Sequence, residues 1–281
     1  MFTLSSHVWA GWTVSTYNIR NFDRDDRAGA TNIPLLKTIL QSVKSDVMAF
    51  EEIVNVKAFQ VLMTSTLPGY KYEISNCGGG GEQHIAIAWN PQLFTFKSKT
   101  EDLSFSGLDE TSACGSLRPL FMVTLERSDR VEYSFAGVHL KAGGDTNAMS
   151  RRWEQYGKLE NLVKNFKGQN LLILGDFNTT GYTPKNNDYV KFTGFMNNAG
   201  MRTMSENLNC TNYWTGTLGN GLYEASVIDH VLVQDKLAGS VTASTVGSHC
   251  EKFACRPTKP SDLGASYQQV SDHCPLQVSF K

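Results

Sequence analysis

The chain has 281 residues, 41% of them hydrophobic and 19% charged, with a formal net charge of -1 and a pI near 6.6. That length buries a substantial core without outside help, and no apolar run is long enough to cross a bilayer. The balanced charge excludes a polybasic binder: attraction to a polyanion would have to come from a local patch or a bound cation.

Short apolar strands alternate with amphipathic helices. Residues 13–19 read as a strand. Residues 31–44 read as a helix, with Thr31 or Asn32 as N-cap and Pro34 in the first turn. Residues 46–51 form a strand and 56–67 a helix. Two strands, 70–75 and 84–89, flank a glycine run, Gly78 to Gly81, and Asn90-Pro91 marks a turn. No GK[ST] follows those glycines, so a flexible hairpin loop is expected rather than a phosphate cradle. Residues 117–126 and 131–140 pair as a hairpin across Ser128-Asp129, 150–166 is a helix, and 170–174 is a central-type strand ending at Gly175-Asp176. Strands at 227–233, 241–246 and 276–280 complete the series. With no repeat and no Pro- or Ser-rich linker, one domain over 1–281 is expected. Its fold class is α+β, a four-layer sandwich of two packed mixed sheets with helices on the outer faces.

The six cysteines, Cys77, Cys114, Cys210, Cys250, Cys255 and Cys274, form no C-x-x-C pair, which argues against zinc. Their even number fits a disulfide-bonded exported protein, extracellular or periplasmic, with several buried free thiols as the rival reading. Cys250 and Cys255 are close enough to close a small loop. The opening MFTLSSHVWA lacks a basic region followed by an apolar stretch, so a signal peptide is expected to be absent or already removed.

The chemistry sits at strand ends. Asn18, Glu52, His139, Asp176, Asn178, Asp229, Asp272 and His273 all fall at or just beyond a predicted strand terminus. The set offers carboxylates for a hard cation, amides for phosphate oxygens and two imidazoles for proton transfer, the functions that phosphoester hydrolysis requires. The strings that hold them are TYNIRNFD, DVMAFEEI, GVHLKAGG, LGDFNTT, VIDHVLV and SDHCPL. In this order and spacing they resemble the endonuclease/exonuclease/phosphatase superfamily, from Asn18 to Pro275. Within it, GDFN, VHLK and the terminal SDHCP look most like pancreatic-type deoxyribonuclease I and secreted bacterial relatives.

The resemblance implies that Glu52 is the principal metal carboxylate, with Asn18 beside metal and phosphate and Asp272 at a metal site or in the water network. His139 and His273 would be the acid/base pair, oriented by Glu82 and Asp229 respectively. Asp176 and Asn178 would contact phosphate and attacking water, and Arg118 would bind phosphate. The superfamily usually carries Gln where Glu51 stands; strand alternation would put Glu51 and Glu52 on opposite faces, leaving Glu51 to structural hydrogen bonds. Mg²⁺ is the implied metal, with Mn²⁺ able to substitute and Ca²⁺ possible as a structural ion. DNA is the implied substrate, cut to 5′-phosphate and 3′-hydroxyl ends by a monomer with no membrane partner.

Sphingomyelinase-like or inositol-polyphosphate phosphatase-like activity is the alternative on the same core, and a non-catalytic binding module is the third reading. Pancreatic-type enzymes place an arginine shortly after the metal glutamate, and this chain has none there. Arg151 and Arg152 read either as phosphate contacts or as a solvated first helical turn. Tyr213, Trp214 and Tyr223 read as core, His7 and His249 as structural, and His230 as non-catalytic.

Overall fold

Residues 11–24, 31–107, 114–182, 185–217 and 219–281 are described by the structure, a computed structural model. His7 and the opening ten residues lie outside them. In chain order the elements are β1 (Trp12–Phe22), α1 (Ile33–Ser42), β2 (Val47–Ile53), α2 (Val56–Thr66), β3 (Lys71–Ile74), β4 (His84–Trp89), β5 (Phe94–Asp102), β6 (Leu120–Arg127), β7 (Glu132–His139), α3 (Thr146–Asn165), β8 (Asn170–Asp176), α4 (Asn187–Ala199), β9 (Met201–Thr203), β10 (Asn212–Trp214), β11 (Glu224–Ser226), β12 (Asp229–Gln234), α5 (Asp235–Ala238), β13 (Val241–Val246), α6 (Ser248–Phe253) and β14 (Leu276–Phe280).

Two six-stranded mixed sheets form, in the orders β13-β14-β1-β2-β4-β3 and β5-β6-β7-β8-β12-β9, beside a small β10-β11 hairpin. Their inner faces meet in a core that includes Trp12, Val14 and Ile87 from the first sheet and Phe121, Phe135 and Leu174 from the second. The outer face of the first sheet is covered by α1 and α2 through Leu36, Leu40, Phe59 and Leu62. The outer face of the second is covered by α3 and α4 through Tyr156, Leu159, Phe192 and Phe195. The four-layer sandwich expected from the sequence is therefore the observed fold. Central strands are buried on both faces, which is why β2 and β8 read as continuous apolar runs rather than as alternating ones.

Helix starts follow from side-chain caps. Asn32 accepts from the Leu35 amide (3.1 Å), Asn55 from Ala58 (3.0 Å) and Asp145 from Ala148 (3.0 Å), each satisfying an amide that has no partner in its own first turn. Two elements escape the sequence pattern. Strand β5 is an edge strand whose residues 95–100 are all exposed, so no apolar alternation marks it. Helix α4 buries Phe192, Phe195 and Met196, but its polar residues and Gly194 weaken the periodic signal.

All six cysteines are paired: Cys77–Cys114, Cys210–Cys255 and Cys250–Cys274. The small loop closed by Cys250 and Cys255 is thus not formed. A left-handed turn at Ala254 and Cys255 follows α6 and directs Cys255 to Cys210, while the Cys250 amide donates to Cys274 Sγ (3.1 Å). These two bridges frame a satellite core of Tyr213, Leu263 and Tyr267. Among the described residues no helix is long and apolar enough to cross a membrane.

Candidate active site

Register places the site. β7 runs parallel to β8 with His139 opposite Asp176, and β8 runs antiparallel to β12 with Asp176 opposite Asp229. Three adjacent strands thus set His139, Asp176 and Asp229 in one row at the end of the second sheet. Gly175 makes this approach possible: its φ is +143°, and a Cβ there would lie 2.0 Å from the Val138 carbonyl oxygen. The first sheet supplies Asn18 from β1 and Glu52 from β2, and the loop before β14 brings His273.

At Glu52 the expected alternation fails. The β1–β2 and β2–β4 registers both shift at this point, and Glu52 sits at φ +62°, a left-handed conformation rare for a residue with a Cβ. The bulge turns Glu52 toward the seam between the sheets instead of the outer face. Glu51 points to the same seam, accepting from Thr16 Oγ1 at 2.7 Å, and burial together with Asp229 and Asp176 holds its carboxyl well above the usual range. Both glutamates therefore share one face, and Glu51 keeps its structural hydrogen bond.

Asn18, fully buried, donates through Nδ2 to Glu52 Oε1 (3.0 Å) and Asp176 Oδ2 (3.1 Å), while its Oδ1 accepts from the Arg20 amide (2.9 Å). It spaces the two carboxylates with its donor end and lies directly beside Glu52, the carboxylate expected to bind metal. His139 Nε2 lies 3.6 Å from Glu52 Oε1 and 3.5 Å from Asp176 Oδ2. His273 Nδ1 lies 3.0 Å from Asp229 Oδ2, and its Nε2 is 3.8 Å from Asp176 Oδ2. The loop bearing His273 is fastened by Ser271, whose hydroxyl donates to the Asn18 carbonyl (2.6 Å) and accepts from the His273 amide (3.1 Å). Asp229 is fastened by Thr211, whose hydroxyl accepts from its amide (3.0 Å).

The two imidazoles are shifted in opposite directions. Burial, with Arg118 and His273 nearby, keeps His139 well below the usual histidine range. Burial opposes a charged His273 as well, but Asp229 and Asp176 overcome it and hold that ring well above the usual range. One ring is therefore ready to accept a proton and the other to give one. Burial also raises Asp176, against the pull of His273 and with the help of Asp229.

Arg118 and Asn178 are braced by backbone. Arg118 donates from Nε to the His139 carbonyl (3.0 Å) and from Nη2 to Leu140 (2.6 Å). Asn178, at φ +51°, donates to the same Leu140 oxygen (3.1 Å), and its amide donates to Asp176 Oδ1 (2.8 Å).

Two expected members stand apart. Glu82 follows the short 3-10 turn Gly79–Gly81 in a left-handed conformation that sends its side chain, 74% exposed, toward His84. It does not touch His139, whose Nδ1 is buried with no hydrogen-bond partner among the described residues. Asp272 lies 3.7 Å from Arg20 Nε and joins neither group of closely spaced ligand atoms at the site.

Sequence reasoning missed the polar support behind the site. Arg152 is fully buried, not solvated: it donates to both oxygens of Asp188 (3.1 and 3.4 Å from Nε) and to the carbonyls of Lys141 (2.6 Å) and Gly143 (2.9 Å). Gln155, one turn on, accepts from the Lys141 amide at 2.9 Å. Asp188 also accepts from the Thr180 amide (3.0 Å). One ion pair between α3 and α4 thereby fixes the loops that follow both His139 and Asp176. The adjacent pair of arginines was the available signal, but helical periodicity alone does not say which of the two turns inward.

The donor set fits a hard divalent cation. Glu52, His139 and Asp176 each offer a ligand atom within 4.8 Å of the others, as do Asp176, Asp229 and His273. Carboxyl oxygens dominate, and several buried carboxyls crowd together, an arrangement that a cation relieves.

The fold as a whole is similar to that of proteins solved before. The chain has the endonuclease/exonuclease/phosphatase fold. It is similar to an endonuclease/exonuclease/phosphatase family protein from Bacteroides thetaiotaomicron (20% identity, 96% of this chain and 97% of that one, TM-score 0.65). It is similar also to TDP2 from D. rerio complexed with a single-strand DNA product (15%, 97% and 99%, TM-score 0.66). A third is the mannosyl-6-phosphatase Bt3783 of Bacteroides thetaiotaomicron (21%, 95% and 98%, TM-score 0.61). No family model and no curated protein sequence matches the chain.

Proposed function

We propose that the whole chain is one catalytic unit, a divalent-metal-dependent phosphodiesterase of the endonuclease/exonuclease/phosphatase superfamily acting on DNA as a monomer. The observation that carries this reading is the row His139, Asp176, Asp229 and His273 facing Glu52 and Asn18. The six motifs in superfamily order support it, as does the structural likeness to a nuclease-fold protein solved with single-strand DNA. The three disulfides support residence in an oxidising compartment outside the cytosol.

Glu52 and Asp176 would hold the metal, Mg²⁺ or Mn²⁺, with Asn18 fixing their separation. When bound, the cation supplies positive charge beside the phosphate oxygens, where negative charge grows in the transition state. His139 and His273 exchange protons with the attacking water and the leaving oxygen. Asp229 keeps His273 oriented through Nδ1, so that Nε2 faces the phosphate side. Arg118, held in place by two carbonyls, presents its remaining donors to a phosphate oxygen.

Supercoiled plasmid incubated with Mg²⁺ should be nicked to products bearing 5′-phosphates. EDTA should abolish the reaction and His139→Ala should slow it by roughly 10²–10⁴-fold. Nicking that persists in folded His139→Ala sinks the assignment.

A further inference from the structure

Beside the catalytic row, on the side of His139, Arg118 is joined by two further cations, Lys141 and Arg151, that the hydrolytic step does not use. Arg118 occupies the His139 and Leu140 carbonyls. Lys141 follows directly in the chain; its amide is pinned by Gln155 and its ammonium turns back onto the Ala142 carbonyl at 2.7 Å. Arg151, in the first turns of α3, reaches Ser116 Oγ at 3.0 Å, two residues before Arg118, and packs against Gly107. Arg151 acts on both of the others: Lys141 is held below its usual range by burial and then by Arg151 and Arg118, and Arg118 by burial and, more weakly, by Arg151.

Among the described residues none of the three forms an ion pair. The carboxylate that acts on Lys141, Asp145, is turned to the Ala148 amide as the cap of α3. Residues 142–147 alongside are exposed, so this surface is open to solvent. Mutually repelling cations anchored to backbone and hydroxyl groups are held together at a cost in stability, which an anion laid across them would offset. The chain as a whole has no positive charge to spare, so Lys141 and Arg151, which form no ion pair among the described residues, make a local cationic feature at one edge of the site.

We propose that Lys141 and Arg151 form a second phosphate subsite, which holds the phosphate next to the scissile one on a polynucleotide and makes the enzyme prefer chains over isolated phosphoesters. This rests on the nuclease reading above and adds to it. Arg118 would mark the boundary between the two phosphate positions, and the strand would run from the catalytic row past residues 141–145 toward the start of α3.

Binding separates the two ideas. In a His139→Ala background, which leaves the substrate intact, the affinity of a short fluorescein-labelled single-stranded oligodeoxynucleotide is measured across a series of salt concentrations. Removing this one phosphate contact with Lys141→Gln/Arg151→Gln should lower the salt slope by about 0.7. Arg151→Gln alone should remove about half of that, and Lys141→Arg/Arg151→Lys should keep the parental slope. A dinucleoside monophosphate, with a single phosphate, should compete equally well against parent and double variant. Equal salt slopes in parent and folded variants would overturn the subsite while leaving the nuclease reading in place. Absence of oligonucleotide binding by the parent at every salt concentration would overturn both.

Discussion

At Glu52 the backbone adopts a conformation that costs about 1 kcal/mol or more for a residue with a side chain. The gain is a second carboxylate on the seam, beside Asn18 and Asp176. His139 and His273 were readable as a pair from their motifs, and the structure brings them to the same aspartate from two different sheets. Glu82 was not readable in the same way, because a loose match beside four glycines says nothing about the left-handed turn that sends it outward. Glu82→Ala should therefore change turnover less than threefold, against roughly 10²–10⁴-fold for His273→Ala; side-by-side initial rates decide, and a collapse in Glu82→Ala would restore it to the site.

His230 illustrates the opposite case, a histidine with no place in the chemistry. Burial among Phe177, Tyr182 and Phe192 pushes it down to about 3. Because the unfolded chain takes up a proton near pH 6.5 and the folded one does not, this contribution to stability is intact above pH 6.5 and is lost as the pH falls toward 3. Each pH unit within that window withdraws up to about 1.4 kcal/mol. Denaturant unfolding at pH 7 and pH 5 should show a smaller loss in His230→Phe than in wild type; equal losses would contradict the assignment.

Among the elements, α3 carries the most hidden information. Its apolar stripe is legible, but the inward turn of Arg152 is set by tertiary contacts: two loops with unsatisfied carbonyls and an aspartate on α4, a helix the pattern did not reveal. Asp188→Ala leaves a buried guanidinium uncompensated and should destabilise the fold by about 3–5 kcal/mol, whereas Arg152→Met/Asp188→Leu should recover much of that loss. If instead the double variant unfolds at the same denaturant concentration as Asp188→Ala, the pair is not the source of the effect. Strand β5 was invisible for a different reason: its exposed lysines and threonines protect a sheet edge rather than build a core.

For the molecule as a whole, the arrangement of two sheets closed face to face was legible because each central strand is apolar on both sides. What strand pattern could not show is how the far end of the chain is brought back to the site. The bridges Cys210–Cys255 and Cys250–Cys274 close loops of 45 and 24 residues around the segment that ends at His273. Such crosslinks contribute on the order of 3–4 kcal/mol each by limiting the unfolded chain. Reduction should therefore lower the melting temperature and, because His273 adjoins Cys274, reduce turnover in the still-folded fraction; a reduced enzyme with full activity would detach the bridges from the site. On the proposed function, the seam hydrolyses phosphodiesters of DNA. This is tested most directly by comparing initial rates, with Mg²⁺ and with EDTA, on plasmid DNA, sphingomyelin, an inositol polyphosphate and mannose 6-phosphate, using wild type and His273→Ala. Metal-dependent rates highest on DNA and lost in the variant are the expected result. A well-folded enzyme inactive on DNA but active on one of the other three esters would contradict it.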